Sequence, residues 1–268
     1  MFWAIDNTGQ TWLHARKFDH ADNIVDIAPT DVGGLPDGYD LVHTQHGDMW
    51  LDTCRSIIKH ALRNEGVWES RITELISHHT VPGTTAIDVG ANNGVHTLSM
   101  AKAAGDKGRV YAFEPQMKMY RELRSNIEEN PFATNVVPVL AAVGAEERTV
   151  SMAIHVDEAK TRVYDEGGGR VEPGGDVRML ALDSLEFRNV SLLKIDVEGT
   201  EHAVLDGAIE TLKRERPVVL MEIQGGYVFS TALKDKRAEI YHTIRSLEDL
   251  NYRVIQLEKW DYMAFPNQ

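Results

Sequence analysis

Cysteine is almost absent: Cys54 is the only one in 268 residues. An intrachain disulfide is therefore excluded, and a lone thiol without a framework suits a reducing compartment. Long apolar runs are missing too; nothing approaches the roughly 18–20 uninterrupted apolar residues of a membrane-spanning helix. The opening "MFWAIDNTGQTW" has neither the basic start nor the apolar stretch of a secretory leader. Positive charge is short, with 28 Lys and Arg against 41 Asp and Glu, a formal net charge of −13. No basic block is available to track a phosphate backbone. Neither nucleic acid nor a membrane is expected as a partner, and a cytoplasmic location is.

Apolar residues make up 43% and charged residues 26%, a balance that supports a sizeable core and argues against disorder. Residues 1–53 read as an N-terminal extension with a hairpin turning at Asn7–Gly9 and a Pro/Gly/Asp-rich loop over 29–40. Trp3 and Trp12 on that hairpin either mark a homodimer contact or pack on the core. The His43/His46 and His78/His79 pairs have no third ligand to make a metal site of them. Residues 54–268 read as one domain. A helix covers much of 54–79 with a break near Gly66. From Thr84 onward short apolar runs alternate with helix-period segments: "TTAIDVG", "GRVYAFEP", "NVVPVLAAVG", "SLLKIDVEG" and "PVVLMEI" as strands, with helices between them. "TEHAVLDGAIETLKRE" reads as one helix, and "YRVIQLE" and "YMAFP" as two closing strands. This rhythm predicts a mostly parallel sheet with helices on both faces. Over 155–178, glycines 167–169 and 174–175 predict a mobile excursion, either a lid or a plain insertion.

"AIDVGANNG" carries the most chemistry. A buried strand runs into glycines and a helix follows, so Gly90 permits a tight turn and Gly94 lets the helix start pack on the strand. The free amides of that helix start attract an anionic group. A dinucleotide fingerprint fails at Asn92 and Val95, and no Gly-Lys-Ser/Thr follows for a P-loop. The remaining pattern, D-x-G-x-x-x-G, is the strand–turn–helix that class I methyltransferases use for S-adenosylmethionine. Glu114 ends the second strand beside this turn, where a carboxylate accepts both hydroxyls of a ribose. The candidate cofactor-binding set is Asp88, Gly90, Ala91, Asn92, Gly94, Glu114 and Asp196.

"AIDVGANNGVHTLSMA", "GRVYAFEPQMKMYRELRSNI", "LALDSL", "LLKIDVEGTEHAVLDGA" and "PVVLMEI" stand in the order and spacing of the FkbM family of S-adenosylmethionine-dependent methyltransferases, which residues 65–223 resemble. The resemblance implies the class I methyltransferase (Rossmann-like) α/β fold, a seven-stranded sheet whose last two strands form an antiparallel hairpin. It implies O-methylation of a hydroxyl, commonly on a sugar or secondary metabolite. Family members usually carry an aliphatic residue after "GAN"; this chain has Asn93.

Methyl transfer from a sulfonium needs alignment of acceptor oxygen, methyl carbon and sulfur, and an alcohol must lose its proton. Asp88, Glu114, Asp196 and Glu222 each end a parallel strand, so four carboxylates are expected to rim one crevice. Alternation sets Leu192, Lys194 and Asp196 on one side of their strand and Leu193, Ile195 and Val197 on the other. Asp196, Glu198 and His96 are the catalytic candidates. Lys194 is either functional or a structural ion pair, Glu201 a helix-start charge, and His202 a surface or packing residue. Asp196 and Glu222, with Glu198 or Gln224, form an alternative all-oxygen set for Mg²⁺. Two rival readings keep the fold: a binding protein that has lost catalysis, and a nicotinamide-dependent oxidoreductase, disfavoured by Asn92 and Val95.

Overall fold

The computed structural model describes residues 2–5, 11–14, 33–53, 56–154, 169–223 and 233–267; Cys54, the Asn7–Gly9 turn and Gln224 lie outside them. Two antiparallel pairs come first, β1 (Phe2–Ile5) with β2 (Thr11–His14) and β3 (Tyr39–His43) with β4 (Asp48–Asp52). Helices α1 (Ile57–Glu65) and α2 (Ser70–His79) follow. The break between them falls where the sequence places it, at Gly66, which closes α1 in the left-handed region at φ 71°.

Then the alternation begins: β5 (Thr85–Val89), α3 (Val95–Ala104), β6 (Arg109–Phe113), α4 (Met117–Glu129) and β7 (Val136–Val139). The run "NVVPVLAAVG" is not one strand as expected. Its pairing with the main sheet stops at Val139, and Ala142–Val143 becomes β8 of a different sheet. There β9 (Arg148–Ile154), β10 (Gly169–Pro173) and β11 (Val177–Leu180) join it in the order β10-β9-β11-β8. The expected mobile excursion is thus a small sheet over its described part. It has its own core of Ala142, Val150 and Met179, with Val171 and Val177 against it. The chain returns through β12 (Val190–Ile195), α5 (Glu201–Asp206), α6 (Ile209–Glu215), β13 (Val218–Glu222), α7 (Leu233–Asp249), β14 (Tyr252–Gln256) and β15 (Asp261–Pro266).

"TEHAVLDGAIETLKRE" is two helices rather than one. Gly207 lies against the carbonyl of Gly144, where a side chain would not fit. The Asp183 carboxylate accepts the amides of Glu210 and Thr211 at 2.9 and 2.7 Å and restarts the helix there.

The central sheet runs β14-β15-β13-β12-β5-β6-β7, with β15 antiparallel to both its neighbours and the other adjacent pairs parallel. This is the class I methyltransferase sheet. The order reverses between β5 and β12, the switch point beyond whose strand ends ligands bind in open α/β sheets. Period-two alternation builds a core on each face. Ile87, Val89, Leu193 and Ile195 pack on one side. Ala86, Leu192 and Leu220 pack on the other, together with Met49 and Leu51 of β4. Lys194 and Asp88 share that second face, in register on neighbouring strands.

Candidate active site

The turn after β5 is held by its own geometry. Gly90 sits at φ 83°, and a Cβ there would fall on the Asp196 carbonyl. The amides of Gly90 and Ala91 both donate to the Phe113 carbonyl, at 3.0 and 2.9 Å. Gly90 therefore lets the β5 turn and the chain leaving β12 touch directly. Gly94, at φ 91°, packs on α4 rather than on the strand: a Cβ would lie 2.8 Å from Leu123 Cδ1. Asn92 takes the left-handed conformation at φ 51° and its amide points to Glu114.

Glu114 is buried and lines the crevice. One carboxylate oxygen accepts the Asn92 amide and the other the Gln116 amide, both at 2.8 Å. A carboxylate has about four acceptor sites, so these two amides leave part of its accepting capacity for a ligand. Burial pushes its pKa up to about 7, against the lowering effect of those two amides.

The four carboxylates do not rim one crevice. Glu114 and Asp196 line one crevice together with Gly90, Asn92 and Glu198. Asp88 is fully buried beneath it, accepting the Thr97 hydroxyl at 2.6 Å and pairing with Lys194 Nζ at 3.3 Å. It braces the turn against α3 and β12. Lys194 is thereby the structural ion pair: burial would lower its pKa, but Asp88, Asp196 and Glu69 outweigh that and hold it raised. Glu222 lines a second, small neighbouring cleft with Glu69, Lys194, Asp196 and Asp261. Asp196 belongs to both cavities; its side chain is 31% exposed and 3.5 Å from Lys194 Nζ. Glu198 lines the first cavity from a left-handed turn at φ 60°, just before Gly199 at φ 106°.

Glu69, which the sequence did not single out, sits at the start of α2 with φ 44°. It meets His96, Oε2 to Nε2 3.6 Å. His96 is buried and does not line the crevice; burial, then Lys194 and His46, hold its pKa well below normal, so the ring is neutral. Burial and then Asp196 raise Glu69 to about 7; burial, then Asp196 and Glu198, raise Glu222 to about 9. A hint of Glu69 was absent from the sequence because its partners lie far along the chain.

Other residues resolve simply. Glu201 starts α5 but is buried, accepting the Gly199 amide at 2.8 Å. His202 meets the His242 ring edge-on. Buried His46 hydrogen-bonds Ser99 and the Trp68 amide, and exposed His43 pairs with Asp48. Asn93, where an aliphatic residue is usual, is buried with neither amide atom hydrogen-bonded among the described residues. Among the described residues no group of three or more His, Cys, Asp or Glu is arranged to hold a metal ion; Gln224, the other expected partner of Asp196 and Glu222, lies outside them. Nor is any described helix long and apolar enough to cross a membrane.

The sheet order, the glycine turn pressed on β12 and the amide-bound Glu114 define an S-adenosylmethionine-dependent methyltransferase of class I. The methyltransferase FkbM domain profile matches residues 88–254, and the chain belongs to that family. Among solved structures it is similar to a methyltransferase FkbM from Methylobacillus flagellatus KT, at 15% identity and TM-score 0.44, over 69% of this chain and 44% of that one. It is also similar to an O-methyltransferase from Bacillus cereus in complex with SAH, at 16% identity and TM-score 0.47, over 78% and 86%. A SAM-dependent methyltransferase from Aquifex aeolicus matches at 16% identity and TM-score 0.40, over 73% and 87%. No curated protein matches.

Proposed function

We propose that the protein transfers the methyl group to a hydroxyl of a small molecule, a sugar or a secondary metabolite. The observation that carries this reading is the position of Asp196, shared by the donor crevice and the second cleft. When bound, S-adenosylmethionine supplies an electrophilic methyl group on sulfur. Gly90, Asn92 and Glu114, which line the crevice, would hold it there, and Ala91, whose amide is spent on the Phe113 carbonyl, would keep the turn in place with Gly94 and Asp88. Asp196 orients the acceptor hydroxyl and takes its proton, with Glu198 beside it. Positioning of the reacting atoms supplies a large part of the rate and the base adds about 10²–10⁴-fold.

The test is incubation with isotopically labelled methyl donor and a panel of hydroxylated small molecules, read by mass spectrometry. Transfer of label to oxygen is the expected result. Asp196→Asn should lower kcat by about 10²-fold or more while S-adenosylhomocysteine binds within a few-fold of wild type. Full turnover in that variant, or label found on nitrogen or carbon only, would sink the assignment.

A further inference from the structure

The crevice is polar at one end and apolar at the other. Gly90, Asn92 and Asp196 stand at the switch point, and Glu114 lies one strand further on. Beyond Glu114 the lining becomes apolar: Ala141, Ala142 and Val143 as the chain leaves β7, then Met152 and Val171. These last two come from the antiparallel β9–β10 pair of the small sheet, outside the seven-stranded sheet. Met152 of β9 and Val171 of β10 are register partners, so they stand side by side on one face of the hairpin. Both remain partly exposed.

Their position is fixed by the chain path. The Glu114 amide donates to the Val139 carbonyl at the end of β7, and β8 begins three residues later. β11 pairs with β8, and β9 pairs with β11 and β10. Val171 packs on the small core of Ala142, Val150 and Met179. Gly175 holds the hairpin close; a Cβ there would lie 2.6 Å from the Val150 carbonyl oxygen. A partly exposed apolar pair, fixed next to a ribose-binding carboxylate, suits a flat, weakly polar ring on its far side.

We propose that Met152 and Val171 pack on the nucleobase of the methyl donor, which makes the small sheet part of the donor site. The inference rests on the donor reading of the crevice. A methionine gives an adaptable contact of this kind, its sulfur and methyl group against the ring face, and Val171 stiffens the wall from the neighbouring strand.

Calorimetric titration with S-adenosylhomocysteine tests it in the full chain. Met152→Asp and Val171→Asp should each weaken binding about tenfold, as loss of a buried apolar contact predicts. Met152→Leu should stay within about twofold, since apolar volume is kept. Glu172→Ala, exposed on the opposite face of β10, should bind as wild type. Should either Asp variant lose its cooperative thermal transition, Met152→Gln and Val171→Thr replace them, with weakening of about threefold expected. Wild-type affinity in the polar variants overturns the inference and leaves the donor reading standing. So does equal weakening by Glu172→Ala, which would make the effect general to the hairpin. Failure of the wild-type protein itself to bind S-adenosylhomocysteine overturns the donor reading and this inference together.

Discussion

Glu114 carries the sharpest consequence at the scale of single residues. In the proposed donor-binding role its carboxylate must be ionised to accept two hydroxyls, yet burial raises its pKa to about 7. Below that value the free protein holds a proton that binding must remove; above it none is held. Donor affinity should therefore fall by up to about tenfold per pH unit below 7 and level off above it. Titration with S-adenosylhomocysteine between about pH 5.5 and 8.5 reads this directly. A flat profile would mean that the ribose goes elsewhere, and Glu114→Gln should flatten a sloping one. The place of Glu114 beside the glycine turn was legible because an acid ending an apolar strand has few structural uses. Lys194 was not: its partner Asp88 is over a hundred positions away in the chain, and only the parallel register of β5 and β12 brings them level. The same reason hid Glu69 and misplaced His96, which meets Glu69 instead of the crevice.

At the scale of elements, periodicity located the strands and helices of the main sheet, because each buries an apolar face and the alternation states which. It failed where tertiary contacts cut a continuous pattern. "NVVPVLAAVG" stays apolar throughout, yet its two halves serve two sheets; nothing in an apolar run records which partner strand it meets. The helix over "TEHAVLDGAIETLKRE" kept core spacing through Gly207, and the break comes from outside, from Gly144 and the Asp183 carboxylate. That gives "LALDSL" a physical role as the external cap of α6. Asp183→Ala leaves two helix-start amides without their carboxylate and should cost about 1–2 kcal/mol, a fall of a few degrees in Tm. Asp183→Asn keeps an acceptor and should recover part of the loss. Equal stability of all three proteins would show that water caps the helix just as well.

For the molecule as a whole, the question is what the strands ahead of α1 contribute. Met49 and Leu51 of β4 are fully buried in the core that packs against the second face of the sheet. Asp52 and Glu122 close on the buried Lys59 ammonium at 2.7 and 3.0 Å. Tyr39 adds a hydrogen bond to Glu122 at 2.9 Å. Hydrogen bonds from Lys118 and Lys59 hold the Asp52 pKa well below the usual carboxylate range, against the raising effect of its burial. The backbone of β4 is tied to α4 as well: the Trp50 amide donates to Asn126 Oδ1 at 2.6 Å, and the Asp48 amide to Asn130 Oδ1 at 3.0 Å. Asn126 then donates to the Asn93 carbonyl at 2.8 Å, inside the glycine turn. One line of contacts thus runs from β4 through α4 to the donor site. A fragment of residues 54–268 loses two fully buried apolar side chains, about 1.5–3 kcal/mol each. It also loses one carboxylate of a buried ion pair, about 3–5 kcal/mol. The sum is comparable to the whole stability of a domain, about 5–15 kcal/mol. The fragment should show no cooperative thermal transition and no S-adenosylhomocysteine binding. A fragment that melts within about 5 °C of the full chain would refute the argument, because that shift corresponds to only one or two kcal/mol in a domain of this size. If it also bound the donor with wild-type affinity, the line through Asn126 would carry no weight in holding the turn.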